Sequence, residues 1–134
     1  NIGLAVDTER GLLVPTLFAS EKMSLTDLSA CAKSAAAKAR DGKLTPDEMS
    51  GGSFTVTNLG SLGIESFTPV VNPPQTAILG VCAITYRLKA DGTTYPAMGL
   101  SLTFDHRAVD GAPAARFLSD LCRALENFGL LLAK

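Results

Sequence analysis

A chain of 134 residues with 46% hydrophobic side chains carries enough apolar material for one compact domain with a buried core. Twelve Lys and Arg stand against thirteen Asp and Glu without a long block of one sign, which excludes a basic footprint for nucleic acid or an anionic membrane. No apolar run approaches the ~20 residues that cross a bilayer, and no basic leader with an apolar segment opens the chain, so a soluble protein is expected.

The first two segments, "NIGLAVDT" and "GLLVPTLF", read as β structure, with Ile2, Leu4 and Val6 alternating and "DTERG" as the turn that lets them pair locally. A helix is expected from "SLTD", with Ser24 as cap and Asp27 near the positive end. Leu25, Leu28, Cys31, Ala32, Ala35 and Ala39 form its apolar stripe. "DGKL" ends that helix, and "TPDE" starts a second, short one: Thr45 caps, Pro46 opens the turn and Glu48 reaches back. Gly51 and Gly52 stop it. "SFTVTN" then reads as a strand with Phe54 and Val56 on one face and Ser53, Thr55 and Thr57 on the other, followed by the loop "NLGSLG". "TAILGVCAITYRLKA" and "YPAMGLSLTFDH" are long β runs whose "DGTT" connection predicts an antiparallel hairpin. "APAARFLSDLCRALENF" places Leu118, Leu121, Cys122, Leu125 and Phe128 at helical spacing, giving a terminal amphipathic helix.

There is no internal repeat, linker or G-x-G-x-x-G fingerprint. Hairpins and the excess of strands favour an α/β sandwich, a mixed sheet covered by helices, over a doubly wound parallel fold. Cys31, Cys82 and Cys122 are odd in number, scattered and without a C-x-x-C pair; they read as buried free thiols of a reducing compartment. With a single histidine they offer no local metal site, so no metal is expected.

That histidine, His106, lies in "TFDHRAVDG", at the end of the last β run and between Asp105 and Asp110. It is the one side chain whose ordinary pKa, about 6.5, allows proton exchange near neutrality, so any general-base chemistry would use it. The plainer reading is a strand-to-helix turn, in which Asp110 caps the helix and Gly111 gives freedom to bend. The residues alone leave that plainer reading ahead.

H-x-x-x-D-G, His106 to Gly111, resembles the signature of the chloramphenicol acetyltransferase-like superfamily. "FDHRAVDG", "FTVTNLGSLGIESFTPVVNPPQTAILGV" and "NIGLAVDTERGLLVP" together resemble the catalytic domain of dihydrolipoamide acyltransferases, the cores of 2-oxoacid dehydrogenase complexes. The likeness spans essentially residues 1–134 but matches only the C-terminal part of that domain. It therefore implies a two-layer sandwich present as a partial domain, with a lipoyl domain, a peripheral-subunit-binding domain and the opening helix and strands ahead of Asn1.

The resemblance implies acyl transfer, acetyl by default, between a dihydrolipoyl thiol and coenzyme A. His106 would be the base, and Thr57, beside Asn58 in "TVTNLG", would place a hydroxyl on the oxyanion. Asp110 would order the histidine region through an arginine expected in the absent N-terminal part, with Asp105, Arg107, Asn58 and Gly111 as supports. Coenzyme A would be a substrate and the lipoyl group would ride on a domain outside this chain.

Family members are homotrimers with the active site between subunits, so His106 and Thr57 would come from different chains. Leu130, Leu131 and Leu132 in "FGLLLAK" would anchor one trimer to the next in a cubic or dodecahedral core, unless they are a frayed helix end. Dehydrogenase and dihydrolipoamide dehydrogenase components would be partners through the N-terminal regions, in the bacterial cytoplasm or the mitochondrial matrix; nucleic acid and membrane would not. Two other readings remain at this point: a non-catalytic core fragment or paralogue, and a chloramphenicol-type O-acetyltransferase.

Overall fold

In the computed structural model the described residues are 1–132; Ala133 and Lys134, the end of the expected anchor segment, lie outside them. The longest elements are β6 (Ala77–Leu88) and β7 (Thr94–Phe104), the expected antiparallel hairpin. Gly92, at φ +83°, takes the left-handed position its turn requires, and the Asp91 carboxylate accepts from the Thr93 amide at 2.9 Å. β5 (Phe54–Asn58) runs parallel to β6, and β1 (Ile2–Leu4) runs parallel to β5. β4 (Thr16–Leu17) closes the far edge antiparallel to β1, giving a mixed sheet in the order β4-β1-β5-β6-β7.

The first two β segments each divide. Their inner halves, β2 (Val6–Thr8) and β3 (Gly11–Leu13), pair locally across the expected turn, while the outer halves β1 and β4 join the main sheet. Pro15 is part of the reason: it has no N–H for a ladder, and its carbonyl accepts from Leu4 N at 2.9 Å as the chain passes from one sheet to the other.

α1 (Leu25–Arg40) begins as expected, with the Ser24 hydroxyl accepting from Asp27 N at 3.1 Å. It packs on β2 and β4, with Ala39 buried, Leu28, Cys31, Ala32 and Ala35 half-buried, and Leu25 exposed. The Thr45–Glu48 capping box also forms: Thr45 N donates to Glu48 Oε2 at 2.9 Å and Glu48 N to Thr45 Oγ1 at 3.3 Å. It caps a single 3-10 turn, Asp47–Met49.

The sheet presents different coverings on its two faces. α2 (Gly111–Glu126) lies over one of them, where Phe117 meets Phe54 edge to face at 6.0 Å between centroids and Ala114 is buried. The segment between β5 and β6, residues 59–76, lies over the other. Its Ile64 carbonyl accepts from Ala83 N at 2.7 Å, within the β6–β7 register shift between Val81 and Ile84. Past that bulge the hairpin projects, with Ile84, Tyr86, Leu88 and Met98 exposed.

The cysteines correct one expectation. Cys82 is buried, but Cys31 and Cys122 are half-buried, as are Leu28, Ala32 and Leu121 beside them on the same helix stripes. A five-residue helix, α3 (Phe128–Leu132), follows α2 and leaves Leu130, Leu131 and Leu132 exposed. No helix among the described residues is long and apolar enough to cross a membrane.

Candidate active site

β7 ends where Asp105 turns its amide to the Thr76 carbonyl, at 2.8 Å. The turn beyond is organised by Asp105. Its carbonyl accepts from Ala108 N and Val109 N, at 2.9 and 3.1 Å, while its carboxylate accepts from Arg107 N at 2.9 Å. The Arg107 guanidinium closes on the same carboxylate through Nε at 3.0 Å and Nη2 at 2.7 Å. These hydrogen bonds, first the guanidinium and then the amide, hold the Asp105 carboxyl down at about 2. Asp105 and Arg107 thus brace the turn from either side of His106.

His106 itself points outward, with 71% of its side chain exposed and its ring against Phe104, centroids 5.7 Å apart. Its Nδ1 lies 3.8 Å from Asp110 Oδ1, near enough for a charge contact with a protonated ring but too long for a hydrogen bond. Asp110 occupies the cap position of α2 with extended backbone, and its carbonyl accepts from Ala114 N at 3.2 Å. Its carboxylate makes no capping hydrogen bond, contrary to expectation. Pro113 stands at the third helical position and has no N–H, which removes one of the two amides a cap side chain ordinarily reaches. Gly111 is also less constrained than expected. Its backbone lies outside the left-handed region and a Cβ there would meet nothing within 4 Å.

Thr57 stands on β5 in register with Gly80 of β6. It is half-buried and shares its face of the sheet with Thr55, Ile78 and Gly80. Thr55 and Ile78, together with Phe67, Val70 and Asn72 from the covering segment, surround a groove of about 410 Å³ into which Thr57 opens. Gly80 leaves room for the Phe67 ring, whose Cζ would be 2.8 Å from a Cβ at that position. Asn58 ends β5 and turns the chain into the covering segment, its Oδ1 accepting from Gly60 N at 2.8 Å.

One chain does not bring His106 and Thr57 together. Thr57 is level with Gly80 and Phe104 with Ala77, three positions and two strands apart, so about 10 Å along the sheet and about 10 Å across it separate Thr57 from the strand end carrying His106. The faces differ too. Phe104, beneath His106, lines a second apolar groove of about 360 Å³ with Phe54, Ala77, Leu102 and Phe117, on the α2 side. Among the described residues no three His, Cys, Asp or Glu side chains cluster as metal ligands.

Two residues of the Thr57 face carry structure that the sequence reading passed over. Thr55 is fully buried and donates to Gln75 Oε1 at 2.6 Å. Strand alternation does place Thr55 beside Thr57, but nothing local links it to a glutamine twenty residues later.

Residues 1–133 match the family model described as 2-oxoacid dehydrogenases acyltransferase (catalytic domain). The chain is 46% identical over 135 aligned residues to the dihydrolipoyllysine-residue acetyltransferase component of the pyruvate dehydrogenase complex of Staphylococcus aureus, covering 98% of this chain and 31% of that protein. Among solved structures it resembles Azotobacter vinelandii dihydrolipoamide acetyltransferase, studied for the role of a serine, a histidine and an asparagine in its catalysis. There the TM-score is 0.91 at 44% identity, over 98% of this chain and 55% of that one. The cubic core of the pyruvate dehydrogenase multienzyme complex gives the same TM-score, identity and coverage. The chain therefore spans about a third of the length of that curated relative and about half of the solved chains. By sequence and by fold, it belongs to the 2-oxoacid dehydrogenase acyltransferase family, within the catalytic domain.

Proposed function

We propose that this chain is the acyl-transfer part of a dihydrolipoamide acyltransferase, moving an acetyl group between a dihydrolipoyl thiol and coenzyme A. The observation that carries the reading is the presentation of His106: a lone imidazole, exposed on a turn that Asp105 and Arg107 fix, in a chain similar to acetyltransferases throughout its length. In the Azotobacter relative the histidine and asparagine of interest are four positions apart, the spacing of His106 and Asp110.

A thiol of pKa near 8.5 is mostly protonated at neutral pH, so the attacking sulfur needs a base. His106 removes its proton as the sulfur adds to the thioester carbonyl. The resulting oxyanion accepts a hydrogen bond from the Thr57 hydroxyl. When the tetrahedral intermediate collapses, the other carbon–sulfur bond breaks and the imidazolium returns the proton to the departing thiolate. One imidazole serves both steps.

The distance between His106 and Thr57 within one chain favours a site shared by two copies, His106 from one and Thr57 from the next, as in a homotrimer. Exposed Leu130, Leu131 and Leu132 suit an apolar anchor between such trimers in a larger core. The lipoyl group would be delivered from a domain outside this chain, and the dehydrogenase and dihydrolipoamide dehydrogenase components would be held through regions outside it, in the cytoplasm of a bacterium.

The test is an acyl-transfer assay on the full-length protein with acetyl-CoA, offering dihydrolipoamide and chloramphenicol as separate acceptors. S-acetylation of dihydrolipoamide, read as thioester formation, is expected without acetylation of chloramphenicol. Acetylation of chloramphenicol alone would replace this reading with antibiotic O-acetylation, and transfer to neither would leave a structural core.

A further inference from the structure

We infer that Thr55 and Gln75 are positioning residues that set where the Thr57 hydroxyl stands relative to the acyl carbonyl. The inference rests on the reading of Thr57 as the oxyanion donor.

Thr55 is 0% exposed, a polar side chain in the sheet interior that must be hydrogen-bonded to avoid a desolvation penalty. A valine would fill the same space without that requirement. The hydroxyl is used instead to reach Gln75, at 2.6 Å, across twenty residues of chain. Two glycines make room for this bond. A Cβ at Gly3 would lie 2.7 Å from Thr55 Oγ1, and one at Gly52 would lie 2.9 Å from Gln75 Nε2 and 3.3 Å from Thr16 Oγ1. β1, the Gly51–Gly52 break and the end of the covering segment therefore converge on a single side-chain amide.

What the bond ties down is the wall of the Thr57 groove. Gln75 N donates to Asn72 O at 3.0 Å, so the glutamine and the wall residues Val70, Val71 and Asn72 belong to one turn-stabilised stretch. Thr55 and Thr57 are two positions apart on the same face of β5. The hydrogen bond thus fixes the groove's wall to the very strand that carries Thr57, one pleat away. A displaced wall would let the carbonyl settle at a different distance from the hydroxyl, and positional errors near 1 Å cost up to about a hundredfold in rate.

The experiment uses the full-length protein and compares Thr55→Val, Thr55→Ser, Gln75→Met and Thr57→Ala, with Thr55→Val also placed in the Thr57→Ala background. Thr55→Val is expected to lower kcat about ten- to a hundredfold with KM nearly unchanged, and Thr55→Ser to restore it. In the Thr57→Ala background Thr55→Val should add nothing, because its effect passes through the absent hydroxyl. Gln75→Met, altered on the half-buried side of the bond, should reproduce the Thr55→Val loss and carries the same test if Thr55→Val does not assemble. A kcat at the parent level in Thr55→Val or Gln75→Met overturns the inference while Thr57→Ala remains impaired. So does an equal additional loss in the double variant, which would mark a general structural role. An unimpaired Thr57→Ala would instead remove the oxyanion reading, and the positioning role with it.

Discussion

Thr57 sits within a strand, half-buried, with paired neighbours on both sides and a packed wall across its groove. His106 stands on an exposed turn whose shape comes from one carboxylate and one guanidinium. The first region is held by the interior of the fold and the second by a surface hydrogen-bond cluster. A hydroxyl that must meet a developing charge gains from a fixed position. A base that must reach a thiol arriving from outside gains from being presented outward. Under the proposed mechanism these two regions are half-sites, and they face in different directions.

Breaking the His106 half gives the largest expected effect. His106→Ala in the full-length protein should reduce acyl transfer by about 10² to 10⁴-fold while sedimentation remains that of the intact assembly. Near-normal turnover would remove the imidazole from the mechanism. Thr57→Ala should lower kcat by about 10² to 10³-fold and leave KM nearly unchanged. A change confined to KM would move Thr57 to substrate binding. Mixing the two inactive variants sharpens the comparison further: co-assembled chains should regain activity that neither has alone, since some sites then pair an intact His106 with an intact Thr57. A mixture as inactive as its parts would mean that each chain supplies both groups to the same site.

The brace around His106 is testable through pH. The Asp105 carboxyl ionises at about 2 in the turn against an ordinary 3.8, so it is a depressed acid. Its contribution to the turn is complete above 3.8 and is lost as pH falls through about 2. Carbon NMR titration of Asp105 should find that low midpoint, and Arg107→Ala should return it toward 3.8. An unmoved midpoint would mean that the guanidinium does not hold the turn. The smallest effect is expected at Asp110. Without a capping bond to lose, Asp110→Ala should change unfolding stability by less than about 0.5 kcal/mol, whereas a working cap would cost about 1 kcal/mol by denaturant titration.

Local chemistry made much of the fold legible. Ser24 and Asp27 mark the start of α1, Asp91–Gly92 marks the hairpin, and the spacing of Leu118, Leu121 and Leu125 marks α2. Features that depend on distant partners were not legible. Pro15 interrupts the second of two β segments that read as continuous, and the Ile64 carbonyl draws Ala83 out of the hairpin ladder. Within the site, the position of His106 at a strand end was evident from its neighbours, but its separation from Thr57 depends on the register of three strands. Asp110 was expected to cap because its own identity suits that role; Pro113 withdraws one of the two donors such a cap uses, a loss that has no bearing on any apolar pattern.

Gly80 gives the Thr57 groove a property set by an atom that is not there. With the Phe67 ring resting where a Cβ would project, even an alanine would be felt beyond its own volume, because a flat, rigid ring cannot absorb the push by changing shape. Phe67 also lines the groove into which Thr57 opens, so an enlargement at residue 80 would reach that groove through the ring. Residue 80 and residue 67 are therefore coupled: a Cβ at the first requires the ring at the second to move or to be replaced by a smaller side chain.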